Sequence, residues 1–188
     1  LIPDAMAMRP GGLPGDGINL SHLLVGSEGT LAYSTAIELK LWPLPAKKIM
    51  GICHFPTFYQ AMDAAQHLVT LDPVAVELVD DTMIELARSI PIFQPTVEEA
   101  VRGNPAALLL VEFAEEDMAE NERRLRQLHE MMGDLGFGWD KGAAWRGGVV
   151  DAIDPGMQGR IAEWRKSGLN IMMSEKSEAK PVSFLEDC

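Results

Sequence analysis

The sequence predicts an α+β fold, a ferredoxin-like antiparallel sheet with helices on one face. The first observation is the order of segments after residue 46, which runs β-α-β, a helical insert, and β-α-β again. The second is that the two longer helical segments carry apolar residues along one side, as helices lying on a sheet do. The third is an apolar content of 47% over 188 residues, which is ordinary for a globular chain.

The first β-α-β unit starts at Lys48–Phe55, a short apolar run that predicts a strand. Thr57 is a favourable N-cap, and apolar residues recur at helical spacing from Phe58 to Leu68. Asp72-Pro73 interrupts the chain before Val74–Val79, which predicts the second strand.

The helical insert and the second β-α-β unit follow. Asp81–Ser89 predicts a short helix, and Thr96–Arg102 predicts one or two further helical turns. Ala107–Phe113 is apolar enough for a central strand, and Glu116–Met132 predicts a helix. Phe137–Trp145 predicts a weaker last strand of the sheet.

A further helix is predicted after the sheet. Asp154-Pro155 begins it, because Pro is suited to the first helical position, and it runs to about Lys166. Met157, Ile161 and Trp164 form its expected buried stripe. The remainder of the chain contains one more strand-like piece, Val182–Leu185.

Composition excludes several classes of protein. Sixteen basic and 28 acidic residues give a net charge of −12, which opposes nonspecific binding to nucleic acid. No apolar run approaches the roughly 20 residues of a membrane span, and the N-terminus lacks the pattern of a signal peptide. The two cysteines, Cys53 and Cys188, form no metal or disulfide framework, and the four histidines are expected to be structural or exposed. Because the chain opens on Leu1, we interpret it as a fragment.

A glycine loop lies near the start of the chain. Gly26-Ser27-Glu28-Gly29-Thr30 precedes Leu31–Leu41, which is β-prone and predicts a strand ended by Pro43 and Pro45. Glycines allow backbone N–H groups to approach a bulky anion, and the two hydroxyls add donors. The loop therefore predicts either a contact with a nucleotide or flavin pyrophosphate or a tight turn before a strand.

Two separated motifs resemble the vanillyl-alcohol-oxidase-type flavoproteins, and within them the D-lactate, glycolate and D-2-hydroxyglutarate dehydrogenase branch. GSEGTLAYSTAIELKLWPLP is similar to the end of the FAD-binding domain, where the branch carries G-[ST]-E-G-[ST]-L-G and then L-x-L-x-P-x-P; Ala32 stands for the last glycine. The second motif is WRKSGL at residues 164–169 with KPVSFLED at residues 180–187.

The resemblance implies the domains and the chemistry. Residues 1–45 would be the C-terminal part of an FAD-binding domain, so that its terminal strand segment precedes the sheet. Residues 46–188 would be the cap, or substrate, domain of an FAD-linked oxidase, truncated before its metal-binding motifs. The intact enzyme would oxidise a D-2-hydroxy acid such as D-lactate by hydride transfer to flavin. We expect the isolated fragment to be inactive and to bind FAD weakly.

The resemblance also implies further partners of the intact protein. These are an electron acceptor protein or domain, a divalent metal, and an iron–sulfur cluster, with ligands outside this chain. It implies a cytoplasmic location, or one peripheral to the inner membrane, with no membrane span and no nucleic acid.

The candidate site residues follow from the matched motifs. The predicted cofactor-binding residues are Gly26, Ser27, Glu28, Gly29 and Thr30, and the predicted substrate-binding residues are Arg165 and Lys180. An arginine can present a bidentate fork to a carboxylate. In many relatives the Trp stands three positions before this Arg, whereas Trp164 directly precedes it here. No catalytic residue and no metal ligand is assigned.

Each of these residues also has an ordinary structural interpretation. Glu28 would be repelled by a pyrophosphate, so its expected role is to shape the loop. Arg165 is compatible with a helix-terminal arginine stabilised by the helix dipole, and Lys180 with a solvated lysine before a proline. Glu186 and Asp187 are adjacent and so point to opposite sides of a strand, which does not suit an acid–base pair.

Two alternative functions remain open at this point. One is an FAD oxidase that acts on an alcohol without a carboxylate. The other is a ferredoxin-like binding module that never holds a flavin.

Overall fold

The computed structural model describes residues 21–39, 41, 43–45, 47–139 and 146–168. The chain divides into two compact units. The first contributes the described residues up to 41, and the second contributes those from 43 onward. Residues 1–20, Lys180 and the strand-like piece Val182–Leu185 lie outside the described residues.

The second unit contains a four-stranded sheet and five helices among its described residues. The strands are β1 (Ile49–Phe55), β2 (Ala75–Asp80), β3 (Ala107–Phe113) and β4 (Gly148–Ala152). The helices are α1 (Phe58–Leu68), α2 (Asp81–Ser89), α3 (Gln94–Ala100), α4 (Met118–Asp134) and α5 (Pro155–Lys166). A 3₁₀ turn, Val69–Leu71, follows α1.

The sheet has the order β2-β3-β1-β4, and every neighbouring pair is antiparallel. Ile52 on β1 pairs with Leu110 on one side and Val150 on the other, so β1 is central. In each half of the chain, a helix crosses over between two strands that are not neighbours. This is the ferredoxin-like topology, and the predicted α+β fold class is confirmed.

Both faces of the sheet are covered. The two helices of the β-α-β units, α1 and α4, pack on one face against Cys53, Phe55 and Leu109, as predicted for helices on one face. The remaining helices, α2, α3 and α5, pack on the opposite face. The physical reason is that every residue of β1 is buried, so neither face of this strand can be left in water.

Helix starts follow the local sequence. The Thr57 hydroxyl accepts from the N–H of Gln60 at 3.2 Å, which confirms it as the N-cap of α1. Asp80, Asp117 and Asp154 cap α2, α4 and α5 in the same way. These carboxylates satisfy N–H groups that no helical carbonyl can reach, and they fix where each helix begins.

The last strand of the sheet differs from the prediction. It forms at Gly148–Ala152 and not at Phe137–Trp145, of which residues 137–139 are described and form no strand. Val149 and Val150 pair with Cys53 and Ile52 and supply β-branched side chains to the two faces. Trp139 instead contacts this strand through its side chain, since its indole Nε1–H donates to the carbonyl of Val149 at 2.9 Å.

The strand predicted at Leu31–Leu41 also differs. Among the described residues of this segment, 31–39 and 41, none is in a strand. A strand exists through hydrogen bonds to a neighbour, and no described segment pairs with this one. Its large apolar residues are exposed, among them Tyr33 (90%), Ile37 (73%) and Leu39 (72%). Among residues 31–39 and 41, the terminal strand segment predicted to precede the sheet is therefore not formed.

Candidate functional site

Arg165 lies in the last turn of α5. The residue before it, Trp164, is buried in the core with 1% of its surface exposed, as are Met157 and Ile161, which confirms the predicted stripe. Because that stripe fixes how the helix faces the sheet, Arg165 must point away from the core. Its side chain is 40% exposed.

The guanidinium of Arg165 is paired with a carboxylate. Its Nε contacts Oε2 of Glu77 on strand β2, and the Glu77 side chain is 31% exposed. Glu77 is opposite Leu110 in the register of β2 and β3, so its backbone belongs to the hydrogen-bonded sheet. The pair therefore joins the end of α5 to an edge strand.

Arg165 and Glu77 line an open groove of about 510 Å³. The other lining residues are mainly apolar and come from β2, α2 and the end of α5: Leu78, Val79, Asp80, Met83 and Gly168. This volume lies within the usual range for small-molecule sites, roughly 300–1,000 Å³. The groove can therefore hold a small organic molecule with an apolar part.

The charges in the groove favour an anion at one point only. Arg165 is the cation among the described lining residues. Asp80 also lines the groove, but its Oδ1 accepts from the N–H of Met83 at 2.8 Å at the start of α2, where a helix N-terminus stabilises negative charge. A carboxylate entering the groove would thus find its hydrogen-bond donors at Arg165.

The glycine loop belongs to the first unit and follows a four-residue helical turn, Ser21–Leu24. Gly26, Glu28 and Gly29 all have positive φ, at 78°, 47° and 78°. The N–H of Thr30 donates to the carbonyl of Ser27 at 2.9 Å, and the Thr30 hydroxyl donates to the same oxygen at 2.6 Å. The segment therefore forms a tight turn in which the Thr30 hydroxyl is already used.

A shallow groove of about 230 Å³ lies beside this turn, lined by Leu24, Ser27, Gly29, Ala32, Tyr33 and Ser34. A Cβ placed on Gly29 would meet no atom within 4 Å, so the loop surface there is open. The groove is smaller than the usual site for a whole cofactor, and its Ser27 hydroxyl suits a phosphate oxygen. The turn therefore leaves an open surface beside Ser27 and Gly29.

Lys180, the other predicted substrate-binding residue, lies outside the described residues, as do Glu186 and Asp187. The structure brings Arg165 together with Glu77, Asp80 and Met83, which sequence reasoning missed as site residues. The available signal was Glu77 itself, a charged residue inside the apolar strand VAVELVD.

The described residues contain no group of three or more His, Cys, Asp or Glu side chains that could hold a metal ion. Cys53 is fully buried, and burial raises the pKa of its thiol well above the ordinary value. Within the described segments, no helix has the length and apolar character needed to cross a bilayer.

The fold and the groove together define a class of protein, a ferredoxin-like α+β domain in which an arginine at the end of a helix pairs with a strand glutamate beside an open groove. The sequence model of the FAD linked oxidases, C-terminal domain, matches residues 44–188. The chain belongs to this family.

Curated relatives share most of this chain. It is 30% identical over 178 residues to the D-2-hydroxyglutarate dehydrogenase of Pantoea ananatis, covering 90% of this chain and 16% of that protein. The corresponding Escherichia coli protein is 30% identical over 173 residues, again 90% of this chain, and 17% of that protein is covered. A probable mitochondrial D-lactate dehydrogenase of Danio rerio is 39% identical over 70 residues, which is 36% of this chain and 14% of that protein.

A solved structure of an alkyldihydroxyacetonephosphate synthase is similar in fold. The TM-score is 0.51 at 19% identity, and the match covers 81% of this chain and 27% of that one. At this identity the likeness supports the fold alone. The chain spans 16% and 17% of the lengths of these two D-2-hydroxyglutarate dehydrogenases.

Proposed function

We propose that this chain is the substrate-binding part of an FAD-dependent D-2-hydroxy-acid dehydrogenase. The relatives that match it are named for D-2-hydroxyglutarate and for D-lactate. These two acids differ in their side chains and share a hydroxyl group next to a carboxylate. The shared carboxylate is therefore the feature that a common binding residue would recognise.

The position of Arg165 in the groove is the observation that supports this proposal most strongly. It is the cation of a groove large enough for a small hydroxy acid, and it is held at a helix end by the buried Trp164. A guanidinium offers paired N–H donors in the geometry of a carboxylate. We assign the substrate carboxylate to Arg165 and propose Lys180 as a second cation for the same anion.

The flavin, when bound, supplies the redox chemistry by accepting the hydride from the substrate carbon. This chain would bind and orient the substrate, and the loop Gly26–Thr30 would contact a phosphate of FAD through Ser27 and backbone N–H groups. In this proposal, residues 1–45 are the end of the FAD-binding domain and residues 46–188 belong to the cap domain.

The same proposal includes partners outside this chain. These are a divalent metal, an iron–sulfur cluster and an electron acceptor. Their support is the resemblance to the D-2-hydroxy-acid dehydrogenases, which also supports a cytoplasmic location or one peripheral to the inner membrane.

The test is the flavin-loaded protein that carries this chain, assayed with D-2-hydroxyglutarate and with D-lactate. Arg165→Ala should lower kcat/KM for the better substrate by roughly 30-fold to 5,000-fold, corresponding to about 2–5 kcal/mol for a broken charge pair. Arg160→Ala is the matched control, because Arg160 lies on the same helix and pairs with Glu99 at a similar exposure. Equal activity of the two variants would contradict the proposal.

A further inference from the structure

We propose that Glu77 is a positioning residue for Arg165: it holds the guanidinium by its Nε edge and leaves the terminal Nη pair to bind the substrate carboxylate. This rests on the proposed function, which assigns the carboxylate to Arg165. The contact between the two side chains sets which edge of the guanidinium remains open to the substrate.

An arginine can bind a carboxylate in two bidentate ways. The carboxylate can lie at the side, on Nε and one Nη, or at the end, on the two Nη groups. The carboxylate of Glu77 contacts Nε and therefore occupies the side position. A second carboxylate that approaches Arg165 is directed to the end position.

Both partners are fixed through their backbones. Glu77 lies on β2, where its register partner Leu110 is 2% exposed, and Arg165 follows the buried Trp164. A long arginine side chain on a helix end otherwise samples many rotamers, and ordering it on binding costs free energy. An ion pair to a strand of the sheet removes much of that freedom before the substrate arrives.

Stability alone does not explain the pair. The two side chains are 40% and 31% exposed, and exposed ion pairs contribute about 0–1 kcal/mol. Glu77 also places a negative charge beside the point where an anion would bind, which by itself opposes binding. The orienting effect and the repulsion act in opposite directions, so the sign of the effect of a mutation distinguishes them.

The test compares Glu77→Ala, which removes the carboxylate, with Glu77→Gln, whose amide oxygen can still contact Nε but carries no charge. In the flavin-loaded protein, with the better of the two hydroxy acids, Glu77→Ala should lower kcat/KM roughly 10-fold, mostly through a higher KM. Glu77→Gln should stay within about two-fold of wild type or bind more tightly, since its amide oxygen can keep the contact with Nε while the charge repulsion is lost. Glu99→Ala, which breaks the matched ion pair with Arg160, should change neither kcat/KM nor KM.

A second readout follows the guanidinium directly. In the full chain labelled with nitrogen-15, the Arg165 Nε–H signal should be protected from exchange in wild type and Glu77→Gln, and lost in Glu77→Ala. The fold of each variant is checked by thermal unfolding, where its curve should match that of the wild-type protein.

Three outcomes overturn the proposal in different ways. If Glu77→Ala and Glu77→Gln both tighten binding, Glu77 competes with the substrate instead of orienting Arg165. If neither changes kcat/KM while Arg165→Ala abolishes it, the positioning role fails and the proposed function stands. If Arg165→Ala is itself without effect, the proposed carboxylate site fails, and the role of Glu77 fails with it.

Discussion

The buried histidine of strand β1 should make the fold sensitive to mild acid. His54 is fully buried, and its Nε2 accepts the backbone N–H of Arg102 at 3.1 Å. Its Nδ1 must therefore carry the proton, and Nδ1–H donates to the carbonyl of Ile52 at 2.8 Å. The ring also contacts the edge of Trp139, with centroids 5.0 Å apart. This is a neutral imidazole with both nitrogens satisfied.

Burial lowers the pKa of His54 from 6.5 to about 4, and the charge of Arg102 acts in the same direction. A base whose pKa is lower in the folded state is protonated first in the unfolded state. Its contribution to stability is therefore complete above pH 6.5 and is lost as the pH falls toward 4. The difference of about 2.5 pKa units corresponds to roughly 3 kcal/mol in all, of which about 2 kcal/mol is lost by pH 5.

The assay is urea denaturation at pH 7.5 and at pH 5, comparing wild type with His54→Gln. Glutamine can replace both hydrogen bonds in part but cannot be protonated. The stability advantage of wild type over His54→Gln should shrink by about 2 kcal/mol between the two pH values. The control is His129→Gln, which removes an exposed histidine paired with Asp151 and leaves His54 in place. An advantage of wild type over His54→Gln that is the same at both pH values would refute the reasoning.

Three further predictions concern the core and a cap. In a Cys188→Ser variant, Cys53 should resist a thiol reagent until the protein unfolds, because burial disfavours its thiolate; rapid labelling of native protein would contradict this. Gly51→Ala should destabilise the domain by about 1–3 kcal/mol in urea denaturation, since its Cβ would lie 2.3 Å from Leu128; unchanged stability would show that Leu128 can move aside. Asp154→Ala should cost about 0.5–2 kcal/mol through loss of the α5 cap, and Asp154→Asn should recover most of it.

Local chemistry explains which parts of the fold the sequence could predict. Strand Ala107–Phe113 and helix Asp81–Ser89 match their predicted bounds, because a mainly apolar run and an aspartate cap are both local signals. The last strand was predicted at Phe137–Trp145, directly after the glycines that end the preceding helix. Trp139 is instead partly buried and donates a hydrogen bond to the carbonyl of Val149 on β4, a contact that the local sequence pattern does not predict.

The candidate site also contains one residue that the sequence could predict and one that it could not. Arg165 could be predicted from its place after Trp164 at a helix end, and the resemblance gave it a role. Its partner Glu77 could not be predicted, because the two residues are 88 positions apart in the chain. They meet only because the end of α5 lies beside the edge strand β2. The coverage of the second face by α2, α3 and α5 likewise depends on packing and not on the periodicity of any one helix.

Anaerobic reduction of the flavin shows whether Arg165 binds the substrate carboxylate. The flavin-loaded protein that carries this chain is mixed with D-lactate or D-2-hydroxyglutarate, and in parallel with the matching amide, which keeps the hydroxyl and lacks the carboxylate charge. We expect a hydroxy acid to bleach the flavin, its amide to do so far more slowly, and Arg165→Ala to remove this preference. Equal rates for acid and amide, or an unchanged preference in Arg165→Ala, would contradict this expectation.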